Sequence, residues 1–220
     1  MRFKIKDDTI ELPDEELTLF LHDLQFAELQ YEAGIKEVET KIEILKKDFQ
    51  LRYNYNPIEH ITSRIKAQES LLSKMIKNGI SLNINDVRDR VQDIAGVRVV
   101  CSFVSDIYKI VDMIKNNTDF IIIKEKDYIQ NPKESGYKSY HIIVKVPVYL
   151  TSGIDNVMVE IQIRTMAMDF WATLEHKIKY KYSGYIPDDI KQDLLDCSKV
   201  AGELDTKMLR LKRAIEEGNF

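Results

Sequence analysis

The sharpest alternation of apolar and polar positions runs through residues 157–164, whose sequence is VMVEIQIR. Valine and isoleucine occupy every second position, which predicts a strand with one face packed on a core. The opposite face carries a carboxylate, an amide and a guanidinium in a row, from Glu160, Gln162 and Arg164. Thr165 then stands where it can cap a following helix. Such a row is typical of a functional site, and a solvated face with a strand-end salt bridge is the alternative.

Apolar residues that recur every three or four positions predict helices at both ends of the chain. Residues 1–16 lack periodicity and are interpreted as a loose leader that ends where a helix begins, near Pro13 or Asp14. Apolar residues at steps of three and four continue that helix to the breaking segment Tyr53–Pro57. A heptad seam over Asp188–Glu217 predicts a second long helix that needs a partner, either the N-terminal helix or a second subunit.

The segment Ile58–Lys77 shows isoleucine and leucine at helical spacing and is predicted to be a helix. Its polar side would carry a stripe formed by Lys66, Ser70, Lys74 and Lys77. Aligned ammonium groups can neutralise a polyphosphate, because each is a mobile point charge. A solvated lysine face is the alternative, and the pattern alone favours it.

Charge inside an apolar run marks the next segment. After Asp93 a series of β-branched residues predicts a buried strand, and Arg98 lies within it. Burying either charge there costs free energy of folding unless the charge is paired or binds a ligand. The remaining predicted elements are helices at Asp86–Val91 and Asp106–Lys115, strands at Phe120–Lys124 and His141–Val148, and a hairpin loop at Tyr149–Asn156.

A polar stretch over Lys124–Tyr140 is predicted to be a long loop that mixes four lysines with three tyrosines around Gly136. Cations and exposed aromatic rings together suit a purine nucleotide, with phosphates on the lysines and the base on a ring. A flexible surface loop is the alternative. The length and aromatic content of the loop favour binding.

Composition narrows the class of protein. The 220 residues include 36 acidic and 32 basic side chains, so the net charge of −4 excludes a uniformly basic nucleic-acid binder but permits a local basic cleft. Cys101 and Cys197 are far apart in sequence, which predicts buried thiols in a reducing compartment. The polar N-terminus and the absence of a membrane-length apolar run predict a cytoplasmic protein that does not bind membranes.

Six short segments stand in order between Asn56 and Tyr182. They are RIK from Arg64, DIAGVR from Asp93, KDY from Lys126, GYKSYH from Gly136, EIQIRT from Glu160 and WATLEH from Trp171. Together they resemble the RelA/SpoT-like (p)ppGpp synthetases, and the length and flanking helices resemble a small alarmone synthetase. The run at Asp127–Lys133 and the long N-terminal helix favour the RelP type over the RelQ type.

The resemblance implies an α+β fold with a nucleotidyltransferase-like mixed sheet of about five strands, flanked by helices and extended by long N- and C-terminal amphipathic helices. It divides the chain into an N-terminal helical segment, 1–55, a catalytic domain, 56–182, and a C-terminal helix for packing or oligomerisation, 183–220. Small members of the family are homotetramers, so a homotetramer is expected.

The activity implied is transfer of pyrophosphate from ATP to the 3′-hydroxyl of GDP or GTP. Asp93 and Glu160 would be catalytic and would hold Mg²⁺, with Glu160 taking the hydroxyl proton or sharing the metal. The residues implied for ATP are Arg64 and Arg98 on the adenine faces, and Lys66, Ser70, Lys74 and Lys77 on the phosphates. The residues implied for GDP or GTP are Lys126, Lys133, Tyr137, His141, Gln162, Arg164 and Glu175, with Tyr137 stacked on guanine.

Two other functions remain open. One is a toxic relative that pyrophosphorylates the 3′ end of tRNA, since the lysine-rich loop could hold RNA. The other is a catalytically idle regulator that binds RNA or a partner through the heptad helices. The joint presence of Asp93, Glu160, Arg98 and Tyr137 favours the synthetase, because an idle protein has no physical need for a metal carboxylate opposite a base-stacking ring.

Overall fold

The computed structural model describes residues 2–5, 8–11, 14–181 and 186–217. Within them the strands and helices follow one another as an α+β chain. The elements are β1 (Arg2–Ile5), β2 (Asp8–Glu11), α1 (Asp14–Tyr53), β3 (Ile58–Ile65), α2 (Gln68–Lys77), α3 (Ile84–Arg90), β4 (Ala95–Cys101), α4 (Val104–Lys115), β5 (Ile121–Asp127), β6 (Tyr140–Leu150), β7 (Gly153–Thr165), α5 (Met166–Lys181) and α6 (Asp188–Glu216).

The central sheet has five strands in the order β3-β4-β7-β6-β5, and β4 and β7 are its parallel pair. The predicted mixed sheet is therefore confirmed. Strands β1 and β2 form a separate antiparallel hairpin, so the interpretation of residues 1–16 as a loose leader is wrong. Among the described helices, none has a stretch long and apolar enough to cross a bilayer.

Helix α1 packs along the apolar face of the sheet. The alternation predicted for β7 is confirmed, because Val157, Val159, Ile161 and Ile163 are all buried. Gly34 permits the close approach: a Cβ atom there would lie 2.8 Å from Cγ1 of Val157. The polar face of β7, with Glu160 in its middle, therefore remains on the open side of the sheet.

The predicted helix over Ile58–Lys77 is wrong in its first half. Residues Ile58–Ile65 form strand β3, which pairs antiparallel with β4 from Cys101 to Ala95. The strand lies at the edge of the sheet, and the burial of its residues does not alternate. Without that alternation, the spacing of its isoleucines resembles the spacing found in a helix. Lys66 consequently precedes helix α2, and only the other three members of the predicted stripe lie on that helix.

Two predicted loops are shorter than expected. Lys124 to Asp127 belong to β5, where they pair with β6, so the connecting loop begins at Tyr128. The connection between β6 and β7 is a tight turn rather than a loop over Tyr149–Asn156, since Leu150 already pairs with Gly153.

Helix α6 is present as predicted, but it packs on the chain through a polar side. Ser198 and Asp205 are buried, whereas Leu204, Met208 and Leu211 of the heptad seam are between 44% and 53% exposed. Helix α1 therefore does not cover the seam. The prediction for the thiols is half right, because Cys101 is buried and Cys197 of α6 is exposed.

Candidate active site

The parallel pairing of β4 and β7 brings two carboxylates together. Gly96 of β4 is in register with Glu160 of β7, and Asp93 lies three residues before Gly96. Both carboxylates line one cavity of about 240 Å³. The two groups also interact electrostatically, because the negative charge of Asp93 acts to raise the pKa of Glu160.

Two lysines hold Asp93. Nζ of Lys66 lies 3.0 Å from Oδ2, and Nζ of Lys74 lies 2.7 Å from Oδ1. Burial alone would raise the pKa of Asp93, but the hydrogen bonds and charges of the two lysines outweigh it and lower that pKa. Asp93 is therefore an anion at neutral pH, and it is flanked by two residues predicted to bind phosphates.

Glu160 accepts two hydrogen bonds from its neighbours. Nδ1 of His141 is 2.9 Å from Oε1, and Nε2 of Gln162 is 2.8 Å from Oε2. Burial opposes ionisation, yet these contacts outweigh it and lower the pKa of Glu160. The carboxylate is thus ionised and fixed in orientation.

Arg164 closes a ring of hydrogen bonds around this carboxylate. Its Nη2 atom donates to the hydroxyl of Tyr137 at 2.5 Å and to Oε1 of Gln162 at 2.7 Å. The Tyr137 hydroxyl lies 2.8 Å from Nε2 of His141. With a neutral imidazole, Nε2 accepts from the phenol while Nδ1–H donates to Glu160. Two hydrogen-bonded arms therefore connect the guanidinium of Arg164 to the carboxylate of Glu160, one through Tyr137 and His141 and the other through Gln162.

Arginines flank a second cavity, of about 220 Å³, beside the first. Arg64 of β3 and Arg98 of β4 line it together with Gln162, the residue that also donates to Glu160. Arg64 pairs with Gly96 across the two strands, which places it next to Arg98. Two guanidiniums that line one cavity are suited to contact the faces of a purine, and these roles of Arg64 and Arg98 stay a prediction.

The first cavity is locally basic although the chain is acidic overall. Lys126, Lys133 and His141 line it as predicted, and Tyr128 joins them. Nζ of Lys133 is 4.7 Å from the ring centroids of both Tyr128 and Tyr137. A cation over two adjacent rings marks a place where a base could stack and a phosphate could bind.

Six predicted residues are not part of the lining of these two cavities. Lys66, Tyr137 and Arg164 form hydrogen bonds to residues that line them, and the other three lie apart. Ser70 and Lys77 are exposed on α2, on the face of Lys74 but beyond the cavity lining. Glu175 is buried on α5, forms an ion pair with Lys179 and lines a different cavity of about 500 Å³. The site therefore assembles most of the predicted residues but not these three.

Asp169 was not among the predicted site residues, although it contacts two of them. Asp169, in the first turn of α5, forms ion pairs with both Arg98 and Arg164. Nothing in the strand pattern indicates it. The available signal was an acidic residue in the first helical turn after a strand whose penultimate residue is arginine.

The residues present fit a magnesium ion. Within the described ranges, no three His, Cys, Asp or Glu side chains cluster as a complete metal site. Mg²⁺ needs only one or two carboxylates when a substrate supplies phosphate oxygens. Asp93 and Glu160, which line one cavity with lysines around them, meet that requirement.

Known proteins share this sequence and this fold. A profile of the region found in RelA/SpoT proteins matches residues 63–185. The chain is 41% identical over 202 residues to GTP pyrophosphokinase YwaC of Bacillus subtilis, covering 92% of this chain and 96% of that protein. It is 40% identical over 187 residues to GTP pyrophosphokinase YjbM of the same organism, covering 85% and 87%.

A solved structure with the same architecture is that of small alarmone synthetase 1 from Bacillus subtilis bound to its product pppGpp. It superposes with a TM-score of 0.82 at 37% identity and covers 89% of this chain and 99% of that one. The same synthetase bound to AMPCPP gives a TM-score of 0.77 at 35% identity, with the same coverage of both chains.

Proposed function

The chain belongs to the RelA/SpoT family, and we propose that it is a GTP diphosphokinase that makes ppGpp and pppGpp. It transfers the pyrophosphate of ATP to the 3′-hydroxyl of GDP or GTP. The two Bacillus subtilis relatives carry the name GTP pyrophosphokinase, and one solved relative holds pppGpp as its product. Their similar identities do not separate the RelP from the RelQ type, so that preference stays a prediction.

The observation that carries the proposal is a pair of carboxylates in one cavity that a hydrogen bond from Gln162 links to a second cavity. Asp93 and Glu160 line the basic cavity, and Gln162 connects Glu160 to the cavity between Arg64 and Arg98. A donor in one cavity and an acceptor in the other would meet at the carboxylates. Phosphoryl transfer depends mainly on such positioning and on charge neutralisation.

In the donor site, Arg64 and Arg98 stack on the two faces of adenine. Lys66 and Lys74, which bind Asp93 here, turn to the phosphates when ATP enters. Their charges then neutralise the triphosphate instead of the carboxylate. The outer residues of α2 predicted for this site, Ser70 and Lys77, would reach only the far end of the phosphate chain.

In the acceptor site, Tyr137 stacks on guanine, and Lys133 leaves the ring for a phosphate. Lys126 and His141 bind phosphate oxygens of the acceptor or of the group in transfer. Gln162 and Arg164 support this pocket from behind through the hydrogen-bonded ring. Glu175 would contact the acceptor only from its separate cavity.

The chemistry is an in-line substitution at phosphorus. The 3′ oxygen of the acceptor forms a bond to the β-phosphorus of ATP, the bond from that phosphorus to the α–β bridging oxygen breaks, and AMP leaves. Glu160 takes the hydroxyl proton. Asp93 and Glu160 would also hold Mg²⁺, which would neutralise charge on the phosphate oxygens.

The proposal includes a homotetramer, in keeping with the resemblance. An apolar stripe on α6 is open in the single chain, with Leu204, Met208, Leu211 and Ile215 between 44% and 61% exposed. A stripe of this length is typical of a helix that packs against another subunit. RNA binding and the division into segments 1–55, 56–182 and 183–220 stay predictions.

Label transfer tests the function. ATP labelled in its β-phosphate should pass label to GDP and GTP with formation of AMP, and Glu160→Gln should lower turnover about 10³-fold. Asp93→Asn should have a similar effect, while the exposed Glu203→Gln serves as the matched control. Label in tRNA and none in guanosine nucleotides would instead support the tRNA-modifying alternative. Substantial turnover by Glu160→Gln would contradict the role of this carboxylate.

A further inference from the structure

Asp169 lies between two arginines that belong to different parts of the site. Its Oδ1 atom is 3.2 Å from Nη1 of Arg98 and 3.1 Å from Nη1 of Arg164. The side chain of Asp169 is 19% exposed and that of Arg164 is 5% exposed. One poorly solvated oxygen thus serves two guanidiniums. Water screens its interaction with Arg164 only weakly, whereas Arg98, with a side chain 34% exposed, is screened more.

The two arginines repel each other across this carboxylate. Burial and the charge of Arg164 both lower the pKa of Arg98, whereas Asp169 acts in the opposite sense. Nε of Arg98 is buried and has no hydrogen-bond partner within the described part of the chain. The position of the Arg98 guanidinium therefore depends strongly on Asp169.

The backbone holds Asp169 in place independently of the arginines. Thr165 caps helix α5, because its Oγ1 atom accepts a hydrogen bond from the amide of Met168 at 3.1 Å. Asp169 follows in the first turn, where the helix dipole favours an anion. The backbone of Asp169 is thus fixed, and the freedom that remains is that of its side chain and of the guanidiniums that it contacts.

We propose that Asp169 is a positioning residue that couples the donor and acceptor nucleotide sites by holding Arg98 and Arg164 with one carboxylate. The inference rests on the proposed function, in which Arg98 stacks on adenine and Arg164 supports Tyr137. A nucleotide that stacks on Arg98, or that stacks on Tyr137 and so orders Arg164, also orders the shared side chain of Asp169. The second arginine then loses less freedom when its nucleotide binds, so each nucleotide raises the affinity for the other.

Binding of a non-hydrolysable ATP analogue to Asp169→Asn tests the coupling. The substitution keeps the size of the side chain and removes its charge, so the dissociation constant should rise about tenfold. GDP should increase the analogue's affinity in the wild type and leave it nearly unchanged in the variant. In turnover, KM for ATP should rise while kcat at saturation falls less than about threefold.

A matched control separates this effect from a loss of helix stability. Asp189 is exposed in the first turn of α6, so Asp189→Asn removes a comparable interaction with a helix dipole. It should leave both dissociation constants unchanged. Asp169→Glu, which restores the charge on a longer side chain, should recover part of the lost affinity and part of the coupling.

A double variant shows whether Asp169 acts through Arg98. In an Arg98→Ala background, adding Asp169→Asn should weaken binding of the ATP analogue no further, because the two substitutions remove one interaction. The same addition should still weaken binding of GDP, since Arg164 loses its anion. Full additivity at the donor site would show that Asp169 acts independently of Arg98.

The outcomes distinguish this inference from the proposed function. If Asp169→Asn binds both ligands as the wild type does, with GDP still aiding the analogue, the coupling role is wrong even though (p)ppGpp is made. If the wild type makes no (p)ppGpp, the proposed function fails whatever Asp169 does. A lower unfolding temperature with unchanged binding would assign Asp169 a purely structural role.

Discussion

At the scale of single residues, the site is organised by Arg164 rather than by the carboxylate that it serves. One guanidinium donates to Tyr137 and to Gln162, and both arms end on Glu160. Because a carboxylate that accepts two fixed hydrogen bonds has little rotational freedom, its lone pair is aimed before any substrate binds.

The hydroxyl of Tyr137 is the link that can be removed with least disturbance. Tyr137→Phe keeps the ring for stacking but breaks the arm from Arg164 to His141, so kcat should fall about tenfold while KM for GDP changes less than about twofold. Steady-state kinetics measure both constants. Tyr128→Phe, in the neighbouring ring, is the control, and an unchanged kcat in Tyr137→Phe would contradict the two-armed arrangement.

The buried carboxyl of Asp205 predicts a dependence of stability on pH. Burial raises its pKa, although the hydrogen bond from Thr165 and the charge of Lys138 oppose the shift. A raised folded-state pKa means that the folded protein binds this proton more tightly. The resulting stability is complete below the unfolded-state pKa and is lost as pH rises through the folded-state pKa.

Replacement of Asp205 by asparagine should therefore raise the free energy of unfolding at neutral pH, since the amide keeps an acceptor for Thr165 without a charge. The gain over the wild type should shrink as the pH falls to about 4. Chemical unfolding at several pH values measures the difference, with the exposed Asp112→Asn as control. A variant less stable than the wild type at neutral pH would show that the ionised carboxylate is needed.

The limits of the sequence are also clearest at single residues. Glu160, Gln162 and Arg164 could be placed on one face because strand alternation fixes the direction of each side chain. Asp169 could not, because its partners come from two strands that meet only in the folded sheet. Glu175 was assigned to the acceptor pocket, whereas helix α5 directs it into another cavity.

At the scale of elements, α6 supports the loop that carries Tyr137. The hydroxyl of Ser198 donates to the carbonyl of Gly136, and the indole of Trp171 donates to the carbonyl of Leu194 at 2.8 Å. Gly136 has a φ of +87°, and a Cβ atom there would lie 2.8 Å from Cβ of Ser198. The loop therefore passes directly against the helix.

Gly136→Ala should displace this loop and raise KM for GDP about tenfold, while binding of an ATP analogue stays near that of the wild type. Gly79→Ala is a matched control, since Gly79 also has a positive φ, of +58°, but a Cβ atom there meets nothing within 4 Å. This control separates the effect of backbone strain on KM from the effect of the contact with α6. Equal effects of the two substitutions on KM for GDP would contradict the supporting role of α6.

Elements with strong internal patterns were predictable, whereas those defined by their neighbours were not. Strand β7 alternates because one face is buried against α1. Strand β3 has an irregular burial pattern at the edge of the sheet, so its pairing with β4 had to override a sequence that resembles a helix. The same reason explains why Lys66 was placed on a helix and lies instead beside Asp93.

At the scale of the whole molecule, charge and apolar surface are unevenly distributed. The net charge is −4, yet the cavity around Asp93 and Glu160 is lined by Lys74, Lys126 and Lys133 among other basic residues. Anionic nucleotides are thus attracted to one place on an otherwise acidic protein. The apolar stripe of α6 lies on the same helix that contacts the loop carrying Tyr137, so the proposed assembly would involve an element next to the site.

The stripe predicts the oligomeric state. Leu204→Glu combined with Leu211→Glu should convert the proposed tetramer to smaller species, because two charges cannot be buried in an apolar interface. Sedimentation velocity measures the change, and Thr206→Glu, exposed on the same helix, is the control. A wild-type chain that sediments as a monomer would contradict the proposed assembly.

The most direct test is a crystal structure with a non-hydrolysable ATP analogue and GDP bound together. We predict adenine between the guanidiniums of Arg64 and Arg98, guanine on the ring of Tyr137, and the 3′ oxygen of GDP within hydrogen-bonding distance of Glu160. Nucleotides bound with the acceptor ribose turned away from Glu160, or with adenine outside the arginine pair, would contradict the proposed site.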